Sequence, residues 1–295
     1  MGLASAGTNR VSILSMTTSY GKQLRQLWQK QTIALPGVFN PLVGMSAKQV
    51  GFKALYFSGG AFSATLGLPD IGLFTLTELA DQVQKIIAAT DLPILVDADT
   101  GFGEAINVAR TVETLKAIGA AGIHLEDQVM PKRCGHLDGK ELVSTEKMCE
   151  KIRAAVAARK DSDFILMART DARATSGMEG ALKRAKAYLK AGADALFPEG
   201  LQSAEEFKIF AKNFPKTPLL ANMTEFGKTP FISVDEFAKI GFKAVIFPVT
   251  CLRLAMQTIE KGLIEIRDNG TQKKLVADMQ TRQELYKLLN YRIKL

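Results

Sequence analysis

The 295-residue sequence is short of the residues that mark several common protein classes. It has three cysteines, Cys134, Cys149 and Cys251, and no Cys-x-x-Cys pair. Three thiols in a chain this long make no disulfide framework, which points to a reducing, cytoplasmic setting. With only two histidines, His124 and His136, a thiolate–imidazole zinc site lacks ligands. No apolar run approaches the ~20 residues needed to span a bilayer. No Gly-x-Gly-x-x-Gly opens a helix after the first apolar strand, which weighs against a dinucleotide-binding fold. Acid is missing from residues 1–69, although that stretch has six Lys or Arg. Residues 270–295 add six bases against Asp278 and Glu284, so the net charge of +8 sits at the two ends of the chain. A nucleic-acid groove needs a basic stripe along one face, and basic ends do not supply one.

A repeated phrase is what the sequence does have. Gly51-Phe52-Lys53-Ala54, Gly119-Ala120-Ala121-Gly122, Gly192-Ala193-Asp194-Ala195 and Gly241-Phe242-Lys243-Ala244 each follow a helical pattern and precede a short apolar run. Glycine ends the helix and the chain turns at once into a strand. Four further apolar runs lie between them, at Ile33–Val38, Pro93–Val96, Phe164–Ala168 and Pro218–Ala221. Eight short, continuous apolar strands alternating with helices predict a parallel sheet buried on both faces, closed as a (β/α)8 TIM-type barrel. The expected divisions are a flexible leader at 1–20, the barrel at 21–269 and a helical extension at 270–295. A targeting segment is the alternative for the leader, whose one charge is Arg10. In the extension, Thr271–Asn290 reads as one helix with an apolar stripe through Leu275, Met279, Leu285 and Leu289, which needs another surface to cover.

Barrel active sites form at the C-terminal ends of the strands. Those ends hold Ser58-Gly59-Gly60, Asp97 and Asp99, Glu126, Arg169 and Asp171, Glu199, and Asn222 with Thr224 beyond it, and Arg253 follows strand eight. Any one of them alone could be a helix cap; at seven successive ends they describe a site. Asp97 and Asp99 are two apart, so both carboxylates project to one face. Two anions held together ask for a cation, and all-oxygen ligation suits Mg²⁺; capping or salt-bridged aspartates are the alternative. The loop after Glu126-Asp127 runs Lys132-Arg133-Cys134-Gly135-His136. A thiol flanked by cations has its thiolate favoured, whereas a packing cysteine would not need such neighbours. Cys149 and Cys251 read as packing residues, and His124 as a structural histidine at least as readily as a catalytic one.

Lys132–His136, together with Ser58–Gly60, Leu95–Gly103 and Met167–Asp171, resembles the isocitrate lyase/phosphoenolpyruvate mutase superfamily over about Leu35 to Tyr291. The pentapeptide is the specific part of the match. The resemblance implies a Mg²⁺-dependent carbon–carbon lyase, with Mn²⁺ as a substitute metal, acting on a small tricarboxylate. Asp97 and Asp99 would hold the metal, with Asp70 and Glu126 around it through water. Cys134 would be the general acid, with Lys132 and His136 beside it, and Tyr56 or Glu126 would assist the hydroxyl proton. Ser58, Gly59, Gly60, Cys134, Gly135, Arg169, Glu199, Asn222, Thr224, Arg253 and Arg282 would bind the substrate; Arg282 reads equally as a solvated helix residue. Asp127–Lys140 would cover the bound substrate. Isocitrate lyases read Lys at the position of Arg133 and have long insertions, so the resemblance points to cleavage of 2-methylisocitrate into pyruvate and succinate. Isocitrate cleavage and carbon–phosphorus chemistry are the alternatives within the superfamily. A scaffold binding acidic metabolites or nucleic acid is the alternative outside catalysis. The resemblance further implies a homotetramer with no nucleic-acid or membrane partner.

Overall fold

The computed structural model describes residues 18–135, 137 and 139–291. Most of the expected leader, and His136, lie outside the described residues. The eight strands are β1 Ile33–Val38, β2 Leu55–Phe57, β3 Ile94–Asp97, β4 Gly122–Glu126, β5 Ile165–Thr170, β6 Ala195–Pro198, β7 Leu220–Asn222 and β8 Ala244–Phe247. All pair in parallel, in the order β6-β5-β4-β3-β2-β1-β8-β7. The ring is completed by one isolated bridge, Leu196 to Leu219, where the Leu196 N–H donates to the Pro218 carbonyl at 3.1 Å. This is the expected (β/α)8 barrel, with one weak seam.

Helices alternate with the strands: α1 Tyr20–Lys30, α2 Pro41–Gln49, α3 Gly59–Thr65, α4 Leu76–Thr90, α5 Ala105–Ala117, α6 Thr145–Arg159, α7 Ala172–Ala191, α8 Ala204–Asn213, α9 Val234–Ile240, α10 Thr250–Asn269 and α11 Arg282–Leu288. The glycine phrases act as anticipated. Gly192 and Gly241 close α7 and α9 at φ 110°, a left-handed conformation that a side chain would strain. None of the described helices is long and apolar enough to cross a membrane.

Two apolar cores follow from the two faces of the sheet. The larger lies between the strands and the outer helices. The smaller fills the barrel, where Leu35, Leu95, Ile165 and Met167 meet Leu24 and Trp28 of α1. Helix α1 therefore stoppers the N-terminal end. It sits so close that a side chain at Gly21 would run into the backbone oxygens of Asp163 and Ala121. Arg25 ties it down, 3.1 Å from Asp194 and bonded to the Ser162 carbonyl at 2.7 Å.

The C-terminal extension departs from expectation. Thr271–Asn290 is not one helix: a 3₁₀ helix spans Lys273–Asp278, and α11 starts afresh at Arg282. The break is chemical, since Thr281 and Glu284 form a reciprocal capping box. Helix α10 has no buried residue, and Leu254, Ile259, Leu263 and Ile266 stand exposed along it.

Truncating the stopper should be costly. Leu24→Ala is expected to lower stability by about 2–5 kcal/mol, the range for a buried leucine. Urea unfolding read by the fluorescence of Trp28, the one tryptophan, measures it. A loss below 1 kcal/mol would mean that α1 contributes little to the barrel.

Candidate active site

Polar groups gather at the C-terminal mouth of the barrel because each strand ends there and the next segment turns away. From β2, the Tyr56 hydroxyl lies 3.2 Å from Asp97 Oδ2 and 2.9 Å from His124 Nε2. One consistent assignment has Nε2–H donating to the phenol and the phenol donating to Asp97. Burial drives His124 down to about 4, so the ring is neutral at pH 7. Burial, with Asp97 beside it, pushes the Tyr56 phenol well above its ordinary value, so it stays protonated. The Asp97 carboxyl is pushed up by burial, but His124, Lys132, Arg169 and the Asp99 N–H pull harder and hold it below the usual range. The Gly59 N–H donates to Asp97 Oδ2 at 3.3 Å, and a Cβ on Gly59 would lie 2.9 Å from that oxygen. Glycine is what lets the α3 N-terminus approach the carboxylate.

Two cations stand among the remaining acids. Lys132 Nζ lies 2.5 Å from Asp70 and 2.7 Å from Asp99. Burial opposes its charge, but Asp99, Glu126, Asp70 and Asp97 outweigh it and raise Lys132 well above the ordinary value. Arg169 grips Asp171 with two hydrogen bonds, at 2.9 and 3.1 Å, and stands 3.1 Å from Glu126 and 3.9 Å from Glu199. Asn222 donates to both Glu199 oxygens at 3.2 and 3.3 Å. Burial raises Glu126 well above the carboxylate range and Asp99 to about 7.

The loop after β4 folds back over this mouth. Gln128 bridges to Leu142 in antiparallel fashion, and the Val129 N–H donates to the Glu141 carbonyl at 2.8 Å. Gly135 lies against the acid–cation cluster: a Cβ there would fall 2.4 Å from Glu199 Cγ and 2.7 Å from Arg169 Nη2. One cavity of ≈ 70 Å³ brings together Tyr56, Ser58, Gly60, Asp70, Asp97 and Lys132 with Cys134, Gly135, Arg169, Glu199, Asn222 and Thr224. Gly59 touches it through Asp97, and Asp99 and Glu126 adjoin it through Lys132 and Arg169. Two larger grooves, ≈ 600 and ≈ 730 Å³, are lined by neither the thiol nor Arg169, and the first adjoins the site at Asp99.

Two expected residues are not brought to the cavity. Arg253 projects from α10, its guanidinium 3.6 Å from Glu225 and over the Phe226 ring. Arg282 is exposed at the start of α11. The sequence reading also passed over the cavity's apolar wall, Phe197, Ile246, Pro248 and Val249. Phe197 and Ile246 lie at the C-terminal ends of apolar strands, a position that could have flagged them. Nothing in the residue order flagged Gln128 or Lys140, whose buried side chains hold the loop.

The donor set suits a hydrated divalent ion. Asp97, Asp99 and Asp70 offer oxygen alone, and both oxygens of buried Glu126 lack a protein hydrogen bond. Among the described residues no three acidic, histidine or cysteine side chains enclose a metal. One or two carboxylates with several waters is how Mg²⁺ binds.

Barrels place their chemistry at the C-terminal strand ends, and here those ends bring carboxylates, an arginine and an amide to one cavity. The chain is an enzyme of the (β/α)8-barrel class. More narrowly, a family model described as phosphoenolpyruvate phosphomutase matches residues 24–267, and the chain belongs to that family. A 2-methylisocitrate lyase of Aeropyrum pernix is 54% identical over 272 residues, 92% of this chain and 87% of that protein. The crystal structure of a 2,3-dimethylmalate lyase, a member of the PEP mutase/isocitrate lyase superfamily, superposes with a TM-score of 0.87 at 37% identity, covering 92% of each chain. A phosphonopyruvate hydrolase solved with oxalate and Mg²⁺ superposes at 0.83 with 30% identity, covering 92% of this chain and 95% of that one.

His124 sets an acid limit. Its folded value lies below the ordinary 6.5, so the unfolded chain takes up the proton first and stability falls as pH drops from about 6.5 towards 4. His124→Gln is expected to remove up to about 3 kcal/mol of that pH dependence. Urea unfolding at pH 7.5 and pH 5 measures it; equal pH dependence in both proteins would put the acid limit elsewhere.

Proposed function

We propose that the chain cleaves 2-methylisocitrate into pyruvate and succinate with the help of Mg²⁺. The observation that carries the reading is the meeting, in one cavity, of the Cys134 thiol, Arg169 and the Asp97 carboxylate. The kinship with 2-methylisocitrate lyases supports it. Asp97 and Asp99 would hold the ion, with Asp70 and Glu126 around it through water, and Mn²⁺ would serve in its place. When bound, it supplies Lewis-acid charge to the oxygens of the pyruvate half.

The chain's own groups account for the remaining chemistry. Arg169, with the Asn222 amide and the Ser58 hydroxyl, orients substrate carboxylates, as planar guanidinium forks do. The hydroxyl proton leaves to a base, the bond between the carbinol carbon and its neighbour breaks, and the electron pair rests on the succinate half. Glu126 would serve as the base in its ionised form, which the charge of a divalent ion held nearby favours over the protonated form that burial sustains. Tyr56 stays protonated and donates a hydrogen bond. Cys134 returns a proton to the carbanion, which completes succinate. Lys132 holds Asp70 and Asp99 in register. The wall of Phe197 and Ile246 offers apolar surface to the extra methyl. The apolar residues exposed on α10 suit burial between subunits of a homotetramer, which light scattering would weigh against the 32.1 kDa chain.

Cys134→Ser is expected to lower turnover by roughly 10²–10⁴-fold while substrate binding survives, the usual loss for a positioned proton donor. Unchanged turnover would reduce Cys134 to a packing residue.

The deciding experiment assays 2-methylisocitrate, isocitrate and 2,3-dimethylmalate with purified protein, with and without Mg²⁺. kcat/KM for 2-methylisocitrate is expected to exceed that for isocitrate at least ~10-fold, the low end of what one buried methyl provides. A preference for either other substrate, or full activity in chelator, would defeat the assignment.

A further inference from the structure

The backbone around Cys134 is held at three consecutive carbonyls. Arg133 O accepts from Gln128 Nε2 at 2.8 Å, and the same amide's Oε1 accepts from the Arg133 N–H at 2.9 Å. Cys134 O accepts from the Leu137 N–H at 2.9 Å. Gly135 O accepts from Lys140 Nζ. Two of the three partners are side chains, and both are buried: Gln128 is 1% exposed and the Lys140 side chain 1%. Burying a lysine in a loop is costly unless its charge is met. Lys140 meets Asp171 Oδ1 at 3.1 Å, the carboxylate that also accepts both bonds from Arg169. Asp171 is itself fixed, its N–H donating to Asp127 Oδ1 at 2.9 Å, while Asp127 takes further bonds from Thr170 and Tyr188.

We infer that Gln128 and Lys140 are positioning residues for Cys134: together they clamp the peptide units on either side of the thiol and set its place over the barrel mouth. Lys140 links that clamp to the substrate-binding side, because Asp171 is shared between it and Arg169. Neither residue lines the cavity, so each acts through the backbone. The inference rests on the reading of Cys134 as the proton donor. An acid that must meet a carbanion on one face loses its effect when displaced by about 1 Å, a shift that can cost 10²-fold.

The test compares Lys140→Met, Lys140→Arg and Gln128→Met with wild type. The Met variants keep the length of the side chain and remove the donor, and in Lys140→Met the Asp171 carboxylate keeps both Arg169 bonds. kcat is expected to fall about 10–100-fold in each, with KM within a factor of about three, since substrate contacts are untouched. Lys140→Arg, which can still donate to both acceptors, should recover most of kcat. Alkylation of Cys134 by iodoacetamide, followed by mass spectrometry of its peptide, should quicken about 10-fold in both Met variants as the loop loses its hold. A merely structural role would lower the melting temperature and leave both the alkylation rate and the turnover of the folded fraction unchanged, which overturns the inference. So does an Arg variant no better than the Met one. Failure of the acid role is read separately: Cys134→Ser would then be fully active, whatever the alkylation rates of the clamp variants.

Discussion

The barrel mouth depends on the balance of buried charge. Asp70, Asp97, Asp99, Glu126, Asp171 and Glu199 crowd around Lys132, Arg169 and Lys140, six carboxyl groups against three cations. An uncompensated charge in such a place costs several kcal/mol, so the cluster tolerates the excess by raising the proton affinity of Glu126 and Asp99. A proton then stands where a further cation would also be welcome. The same imbalance that favours protons in the mouth would favour a divalent ion, and it makes Arg169, beside Glu126, Asp171 and Glu199, central to the balance. Fold stability and chemistry draw on the same residues here. Arg169 holds Asp171 in place for the loop while remaining the natural partner of a carboxylate from outside.

Geometry adds what charge alone cannot. Close approach of the α3 N-terminus to Asp97, and of the loop to Glu199, is possible because glycine stands at both points. The loop can therefore rest directly on the acid–cation cluster and present a thiol to it. The cavity left between them measures ≈ 70 Å³, and charges buried there interact more strongly than they would in water.

The fold was largely legible in the residues. Ile33–Val38 is a strand as read, and the glycine phrases end helices where they were expected to. Other strand starts moved by a residue or two: β3 begins at Ile94, since Pro93 has no N–H to give a ladder, β5 at Ile165 rather than Phe164, and β7 at Leu220 rather than Pro218. The broken C-terminal helix had its signal in Thr281-x-x-Glu284, outweighed by an apolar stripe that ran past it. Most of the site residues were named because barrel topology puts strand ends together. Arg253 was named for following strand eight and Arg282 through the family resemblance alone; Arg253 stands beside Glu225 and Arg282 is exposed at the start of α11, so neither lines the cavity. Loop partners such as Gln128 with Arg133 have no periodicity to betray them, since they arise only when the hairpin closes.

The seam between β6 and β7 also shapes how the molecule breathes. Seven of the eight strand junctions are continuous ladders, whereas this one rests on a single bridge between Leu196 and Leu219. In mechanical terms the barrel is a ribbon rolled into a tube and fastened with one stitch. Local opening begins where the fewest bonds must break, so the amide of Leu196 is where deuterium should enter the tube wall first. Glu199 and Asn222 stand just above that stitch, one on each side, joined by hydrogen bonds of their own. These two side chains, both lining the cavity, thus double as the second fastening of the tube, and losing either would leave the wall to its single stitch.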